Sequence, residues 1–408
     1  MPSKVQENLS HRVDLRLMGS SGINIPLLEY NTSGRITMSE TQNTQKPVIN
    51  NPEDAIVDTG FSTQIVNYSY SITVENPSVF LKLIKKYNNR TDMWSNDEWA
   101  SLILFVLDLE TNSLTHYLLP RYRLLGNKFG FSYNIDVEYL FNLSPKDIIP
   151  ANTRVAWSNA NSGNTHKTGK NLNMITCTLP EVNEDTTLIC RDVIEDYGIK
   201  IYEDYEVSYG KSSLLGNIHG VDDAYKAFPD IGDSLNASDI LFAKVDLELR
   251  ELKNEDWDII NDAMLYTNKG LKKYRPHLVD HTLLRYPGTV IDIDLHFNSK
   301  SGETIESDSI GQQTAMYLMM LKTYNNNIVD TYEQFTKAYP NAKVSPASNN
   351  LIVDAMTFIE RPIKGKTPNI TRSKKRSKLD MYTLKITMEC DIKVNNAFKF
   401  SDRYGGEI

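Results

Sequence analysis

Several windows of the chain alternate apolar and polar residues, and that period of two predicts strands with one buried face. They are TQIVNYSYSITVEN (63–76), DSLNASDILFAKVDLEL (233–249), GTVIDIDLHF (288–297) and LDMYTLKITMECDIKV (379–394). SLILFVLDL (101–109) is apolar throughout and short, which predicts a strand buried on both faces. From about 110 to 205, short β-type segments are separated by Asn, Gly, Ser and Pro clusters, the pattern of a barrel or a coiled sheet. Helical spacing predicts a helix over SVFLKLIKKYNN (78–89) and two helices over 311–340, broken at the run Asn325–Asn327. The stretch 250–285 is more polar, with a short helix predicted near Trp257, and 1–60 reads as loops with short elements. The pattern predicts a mainly β protein with some α and more than one domain.

With 408 residues, two or three domains are the expectation. A hydrophobic fraction of 40% and a charged fraction of 24% are those of a folded chain. No apolar run approaches the roughly 18 residues that a spanning helix needs, so no membrane association is expected. The opening MPSKVQENLSHRVDLR lacks the apolar core of a signal peptide, which predicts the cytoplasm. Cys177, Cys190 and Cys390 lie far apart without a C-x-x-C pair, which suggests neither disulfides nor a zinc finger. A net charge of −8 argues against coating nucleic acid with the whole surface and leaves room for a local basic groove.

Several motifs invite chemistry. HLVDH (277–281) spaces two histidines for a metal on a helix, but no Glu lies between them and no apolar helix surrounds them, so an ordinary surface pair is expected. GKSSLLG (210–216) and GNIHG (216–220) lack the G-K-[ST] ending of a phosphate loop and read as turns. RPIKGKTPNITRSKKRSK (361–378) holds eight Lys and Arg in 18 residues; such a loop either neutralises phosphates or is simply solvated. In EVNEDTTLICRDVI (181–194), Glu184 and Asp185 are adjacent. On a strand they would point to opposite faces, so both reach one site only if the backbone turns there.

Six segments fall in a recognisable order. RVDLRLMGSSGINIPLL (12–28) is similar to D-D-A-N-R-A-L-M-G-x-N-M-Q-R-Q-A-V-P-L, and ETQNTQKPVINNPEDAIVDTGF (40–61) to a stretch ending V-G-T-G-M-E. GKNLNMITCTLPEVNEDTTLICRDVI (169–194) is similar to G-x-N-v-x-V-A-x-x-x-W-x-G-Y-N-F-E-D-a-i-x-x-S-E. FPDIGDSLNASDILFAKV (228–245), YPGTVIDIDLHF (286–297) and the closing NNAFKFSDRYGGEI (395–408) complete the series, the last resembling G-D-K-x-a-x-R-x-G-x-K-G. The chain thus resembles the β subunit of multisubunit DNA-directed RNA polymerases, from just upstream of its NTP-site arginine to its Gly-Asp-Lys motif. A β subunit divided into several chains resembles the polymerases of jumbo bacteriophages.

The resemblance implies phosphoryl transfer, in which a 3′ hydroxyl attacks an α-phosphate and two divalent ions do much of the work. The family's aspartate triad D-F-D-G-D belongs to β′ and does not occur here, so the chain is expected to be inactive alone. Glu184 and Asp185 match the acids beside the NTP-borne Mg²⁺, and hard oxygen ligands suit that ion. Lys399 matches the lysine that contacts RNA 3′-end phosphates, Arg403 the arginine after it, and Lys393 lies close to the second lysine. Arg12 and Arg16 are the candidates for the NTP-phosphate arginine. The family's Gly and Asp before the lysine are Ala397 and Phe398 here, and Asn183 replaces the Phe before the acids.

The implied organisation is a fork-adjacent segment (1–60), an α/β lobe-like segment (61–130), a hybrid-binding double-psi-type barrel portion (131–200 with 383–408) and an inserted flap or wall (201–382). Implied partners are the other split β and β′-like subunits, a σ-like specificity factor at the flap, template DNA, RNA and NTPs. If the chain is viral, the host cytoplasm or the virion is its place. The chain stops within the Gly-Asp-Lys-like motif, and the expectation is that it supplies only part of the site. Two other readings are a β-rich phage virion protein and a β-like relic that binds nucleic acid without making RNA.

Overall fold

A computed structural model describes residues 19–57, 59–66, 69–86, 101–125, 128–161, 163–175, 187–190, 197–210, 213–220, 226–246, 279–298, 312–359, 381–393 and 405–407. Three helices come first: α1 (Ser20–Ile23), α2 (Ser33–Gln45) and α3 (Ser62–Ile65). Strands β1 (Ser71–Val74), β2 (Ser78–Lys85), β3 (Leu102–Asp108), β4 (Ser113–Leu119), β5 (Tyr122–Leu124), β6 (Phe129–Ser132) and β7 (Asn134–Ile135) follow. Helix α4 (Val137–Asn142) leads to β8 (Ile148–Ile149), β9 (Thr153–Trp157) and β10 (Thr187–Ile189). Then come β11 (Gly198–Gly210), β12 (Ser213–Leu215), β13 (Ser234–Leu235), β14 (Ile240–Asp246), β15 (Val279–Leu283) and β16 (Gly288–Asn298). The last elements are α5 (Gln312–Ala338), β17 (Lys343–Val344), α6 (Pro346–Phe358), β18 (Met381–Lys393) and β19 (Gly405–Glu407). The protein is mainly β with a few helices and several sheets.

The strands form a nine-stranded sheet along β13-β16-β18-β11-β12-β14-β15, with β6 pairing β11 and β5 pairing β6, and a five-stranded sheet in the order β17-β4-β3-β2-β8. A three-stranded sheet, β1-β9-β7, and a parallel pair, β10-β19, complete the set, and no sheet closes into a barrel among the described residues. The backbone of the large sheet is β11 against β18, antiparallel from Gly198↔Lys393 to Gly210↔Met381. Along β18 the even residues Tyr382, Leu384, Ile386, Met388, Cys390 and Ile392 enter one apolar core, while Lys385, Glu389 and Asp391 lie between them in sequence. That is the alternation read from 379–394, and it holds because strand side chains alternate between faces.

β3 is buried at every position for a reason its apolar run implied. Leu102, Leu104 and Val106 join the core shared with β1 and β9, and Ile103, Phe105 and Leu107 join the core under α5 and α6. β2 corrects the helix expected over 78–89. Val79 and Leu81 face the helices and Phe80 the other core, yet after a bulge between Phe80 and Lys82 the faces exchange: Leu83 turns to the second core and Ile84 to the helices. The extra residue turns a period of two into the 3–4 spacing of a helix, so periodicity misled.

The region 311–340 is one helix, not two. α5 runs unbroken through Asn325–Asn327, with Asn325 Nδ2 donating to Leu321 O at 2.8 Å. Tyr317 and Leu321 pack into the core of the large sheet, and Ile328, Val329 and Phe335 into that of the five-stranded sheet. Burial on both sides of the Asn run outweighs a propensity penalty of a few tenths to ~0.7 kcal/mol per Asn. Of the strand expected over 63–76, only Ser71–Val74 forms a strand among the described residues, because 62–65 turn as α3. Helix α2 lies in a stretch read as loops, and α6 was not foreseen, although Ser345 caps it by accepting from Ser348 N and Pro346 opens it. The polar stretch around Trp257 and the basic loop 361–378 lie outside the described residues. No helix among the described residues is long and apolar enough to cross a membrane.

Candidate functional site

Glu184, Asp185, Lys399, Arg403, Arg12 and Arg16 lie outside the described residues. Lys393 ends β18 with its backbone opposite Gly198, the first residue of β11. The segments that flank the other candidates are described, and they meet. β10, which begins two residues after Asp185, pairs in parallel with β19, which begins two residues after Arg403: Thr187↔Gly405, Leu188↔Gly406 and Ile189↔Glu407. Two strands 216 residues apart in sequence (Ile189 to Gly405) are joined edge to edge, and each follows one of the two candidate motifs.

Residues 46–57 and 163–171 form a polar lacework at the foot of β11. Glu53 N donates to Gly169 O at 2.8 Å, and Asn171 N donates back to Glu53 Oε2 at 3.2 Å. Asn171 Nδ2 donates to Asp54 O at 2.7 Å, its Oδ1 accepts from Ile56 N at 3.2 Å, and Thr165 Oγ1 donates to Asp54. Lys170 and Lys167 lie 3.5 Å from Glu53 and 3.8 Å from Asp54. The Asn171 N–H and Lys170 hold the Glu53 carboxyl below its ordinary range. Two segments more than a hundred residues apart therefore lie side by side, and the second of them leads into 172–197.

Beneath them lies His166. Asn161 Nδ2 donates to Val66 O and Ser71 Oγ, which orients the amide so that Oδ1 faces His166 Nδ1 at 2.7 Å. Nδ1 then carries the proton and Nε2 the lone pair. Burial, and then nearby Lys46, hold the imidazole down to about 4, so it is neutral at physiological pH.

Along the β11–β18 pair, Glu389 gathers Lys200, Tyr202 OH at 3.0 Å and Ser132 Oγ at 2.7 Å. Tyr122 stacks on Tyr202 at 4.5 Å. Burial first and Glu389 second keep the Tyr202 phenol protonated far above its usual range. This cluster fixes side chains rather than exposing a reactive group.

No group of three or more His, Cys, Asp or Glu among the described residues is placed to hold a metal ion. His281 of HLVDH stands exposed on β15 opposite Ala243, and His277 lies outside the described residues. Gly210 ends β11 and pairs in antiparallel fashion with Ser213, the first residue of β12, and Gly220 takes a φ of 93° that suits glycine. Cys190 is exposed, whereas Cys390 is buried with its thiol pushed up to about 12, by burial and then by nearby carboxylates.

Sequence reasoning assigned no role to Asn50, Glu53, Asn161, His166, Asn171 or Gly198. The available signal was local: NNPED (50–54) and GKN (169–171) are turn-forming polar clusters, each beside an apolar run. Their pairing partners are remote in sequence, and no local pattern supplies that. No protein-family model matches the chain, and no curated protein matches it.

Proposed function

We propose that the chain is part of the β subunit of a multisubunit DNA-directed RNA polymerase, one piece of a split subunit. Glu184 and Asp185 face the NTP-borne Mg²⁺, Lys399 and Arg403 meet RNA and NTP phosphates with Lys393 near them, and Arg12 or Arg16 reaches the NTP. Mg²⁺, held mainly by a β′-like partner, supplies charge neutralisation at the reacting phosphates. The observation that carries the reading is the parallel pairing of β10 with β19. Strands about 4.8 Å apart, and at most about 3.6 Å of chain per residue, limit the Cα atoms of Asp185 and Arg403 to within about 20 Å of each other. Two motifs that resemblance assigns to one active centre are thus tethered to one place, although they are distant in sequence.

The proposed organisation rests on the resemblance; β11 and β18 pair along their whole length, and β12, β14, β15 and β16 lie in the same sheet. In this reading 131–200 with 383–408 contribute to a barrel completed by partner chains, and 201–382 form the flap or wall on which a σ-like factor docks.

The test is a purification through a tag on this chain, with the complex assayed for RNA synthesis on a DNA template. A partner bearing D-F-D-G-D and template-dependent RNA are expected. Glu184→Gln, Asp185→Asn and Lys399→Ala each abolish elongation and leave the complex assembled, whereas wild-type elongation in all three refutes the assignment. Deleting 250–283 removes promoter-directed initiation if the σ-like factor docks there, and unchanged initiation refutes that docking. A chain recovered in assembled virions, with no polymerase partner and no RNA synthesis, is a structural protein instead.

A further inference from the structure

The stretch 49–54 grips both ends of the excursion that carries Glu184 and Asp185. Upstream, Ile49 N donates to Thr168 O at 3.3 Å and Glu53 N to Gly169 O at 2.8 Å. Downstream, Asn50 N donates to Gly198 O at 2.8 Å, and Ile49 bridges Ile199 in antiparallel fashion. Asn50 makes two further contacts. Its carbonyl accepts from Asn159 Nδ2 at 3.1 Å, and its Nδ2 donates to Asp391 Oδ1 at 3.5 Å on β18, eight residues before Lys399.

Gly198 makes this approach feasible. A Cβ there would stand 2.8 Å from Asn50 Nδ2, closer than a carbon and a nitrogen tolerate. One side chain therefore sits where the root of the acid-bearing excursion and the root of the lysine-bearing segment come together.

We propose that Asn50 is a positioning residue that sets the spacing between these two roots; the proposal rests on the polymerase reading above. β11 and β18 are already in register at Gly198↔Lys393, and Asn50 adds a third segment to that junction. Asn50 ties Gly198 and Asp391 to a third segment, itself anchored at Thr168 and Gly169. Phosphoryl transfer depends on placement to within about an ångström, and a displacement of that size costs up to about a hundredfold in rate.

The experiment uses the complex purified through this chain and measures single-nucleotide addition across a range of NTP concentrations. Asn50→Asp sets a second carboxylate against Asp391, and kcat is expected to fall roughly ten- to a hundredfold with little change in KM. The double variant Asn50→Asp with Asp391→Asn restores the pair with donor and acceptor exchanged, and most of the lost rate returns. Gly198→Ala, which pushes on Asn50 Nδ2, lowers kcat in the same way. A purely structural role would lower the melting temperature of each variant without a kcat-specific loss or a rescue. Wild-type kcat in Asn50→Asp, or a loss that Asp391→Asn leaves unrepaired, overturns the proposal. If the wild-type complex makes no RNA, or Glu184→Gln and Asp185→Asn elongate normally, the polymerase reading itself falls, which these controls separate from a failure at Asn50.

Discussion

Lys86 joins the two large sheets, and its replacement by methionine offers a quantitative test of their association. Lys86 stands just beyond β2, and its Nζ lies 2.9 and 3.1 Å from the two carboxylate oxygens of Asp292 and 2.5 Å from Asp294, both on β16. The Lys86 and Asp292 side chains are 15% and 20% exposed and Asp294 is 37% exposed, so water screens the cluster in part. Breaking a fully buried pair costs about 3–5 kcal/mol, and an exposed pair is worth about 0–1 kcal/mol. Lys86→Met is therefore expected to cost about 2–3 kcal/mol, which is large against a total stability of about 5–15 kcal/mol.

The loss depends on pH in a determined direction. Burial holds the Asp292 carboxyl above its ordinary range, Lys86 pulls it down, and Asp294 pushes it up. A carboxyl whose folded-state value is raised binds its proton more tightly when folded, so it opposes folding as pH climbs from about 4 through that raised value. Without Lys86 the value rises further and the window widens. The deficit of Lys86→Met is therefore larger at pH 7.5 than at pH 5, because acidification protonates the raised Asp292 carboxyl and relieves its unpaired charge. Urea denaturation of the chain at both pH values measures it. The triple variant Lys86→Met, Asp292→Asn, Asp294→Asn should recover most of the stability at pH 7.5, because no buried charge remains unpaired. An unchanged midpoint in Lys86→Met, or a deficit that grows on acidification, refutes the reasoning.

Three further outcomes follow from the packing. Asn326→Ala raises stability by about 0.5 kcal/mol if α5 is continuous, since Ala is the better helix former; a lowered midpoint speaks for a break at the Asn run. Gly130→Ala sets a Cβ 2.1 Å from Arg123 O, so it prises β5 from β6 and costs about 1–3 kcal/mol; wild-type stability would show the close approach to be wrong. Ser345→Ala removes the cap of α6 and costs about 1 kcal/mol by denaturation, with no effect expected if another group satisfies the Ser348 N–H.

Strands with one face in a core were legible before the structure. β18 alternates because each residue answers to one side of one sheet, and the apolar run of β3 marks burial on both. The strand expected over 233–249 breaks into β13 and β14, β14 buries Ile240–Ala243 in succession, and a bulge at Ile291 interrupts the alternation of β16. Legibility failed where a local rule met a remote partner. The bulge at Leu81 disguised β2 as a helix, and cores on either side of Asn325–Asn327 carried α5 through a run that would stop an isolated helix. The candidate motifs around Glu184, Asp185 and Lys399 were visible only as quoted residues in an order. Asn50 and Gly198, the residues proposed to set their spacing, carried no mark of their own, since Asn and Gly in a turn-like stretch ordinarily mean a turn.

By itself, then, the amino-acid order determined the mainly β character, the strands β16 and β18 of the large sheet and the motif order on which the functional reading rests. All of these depend on side-chain period or residue identity, which are local properties. The tertiary structure alone decided that β10 lies beside β19, that 49–54 clasps both ends of the acid-bearing excursion, and that Lys86 bridges two sheets. Those are contacts between residues more than a hundred positions apart, and no side-chain period or local residue pattern encodes them.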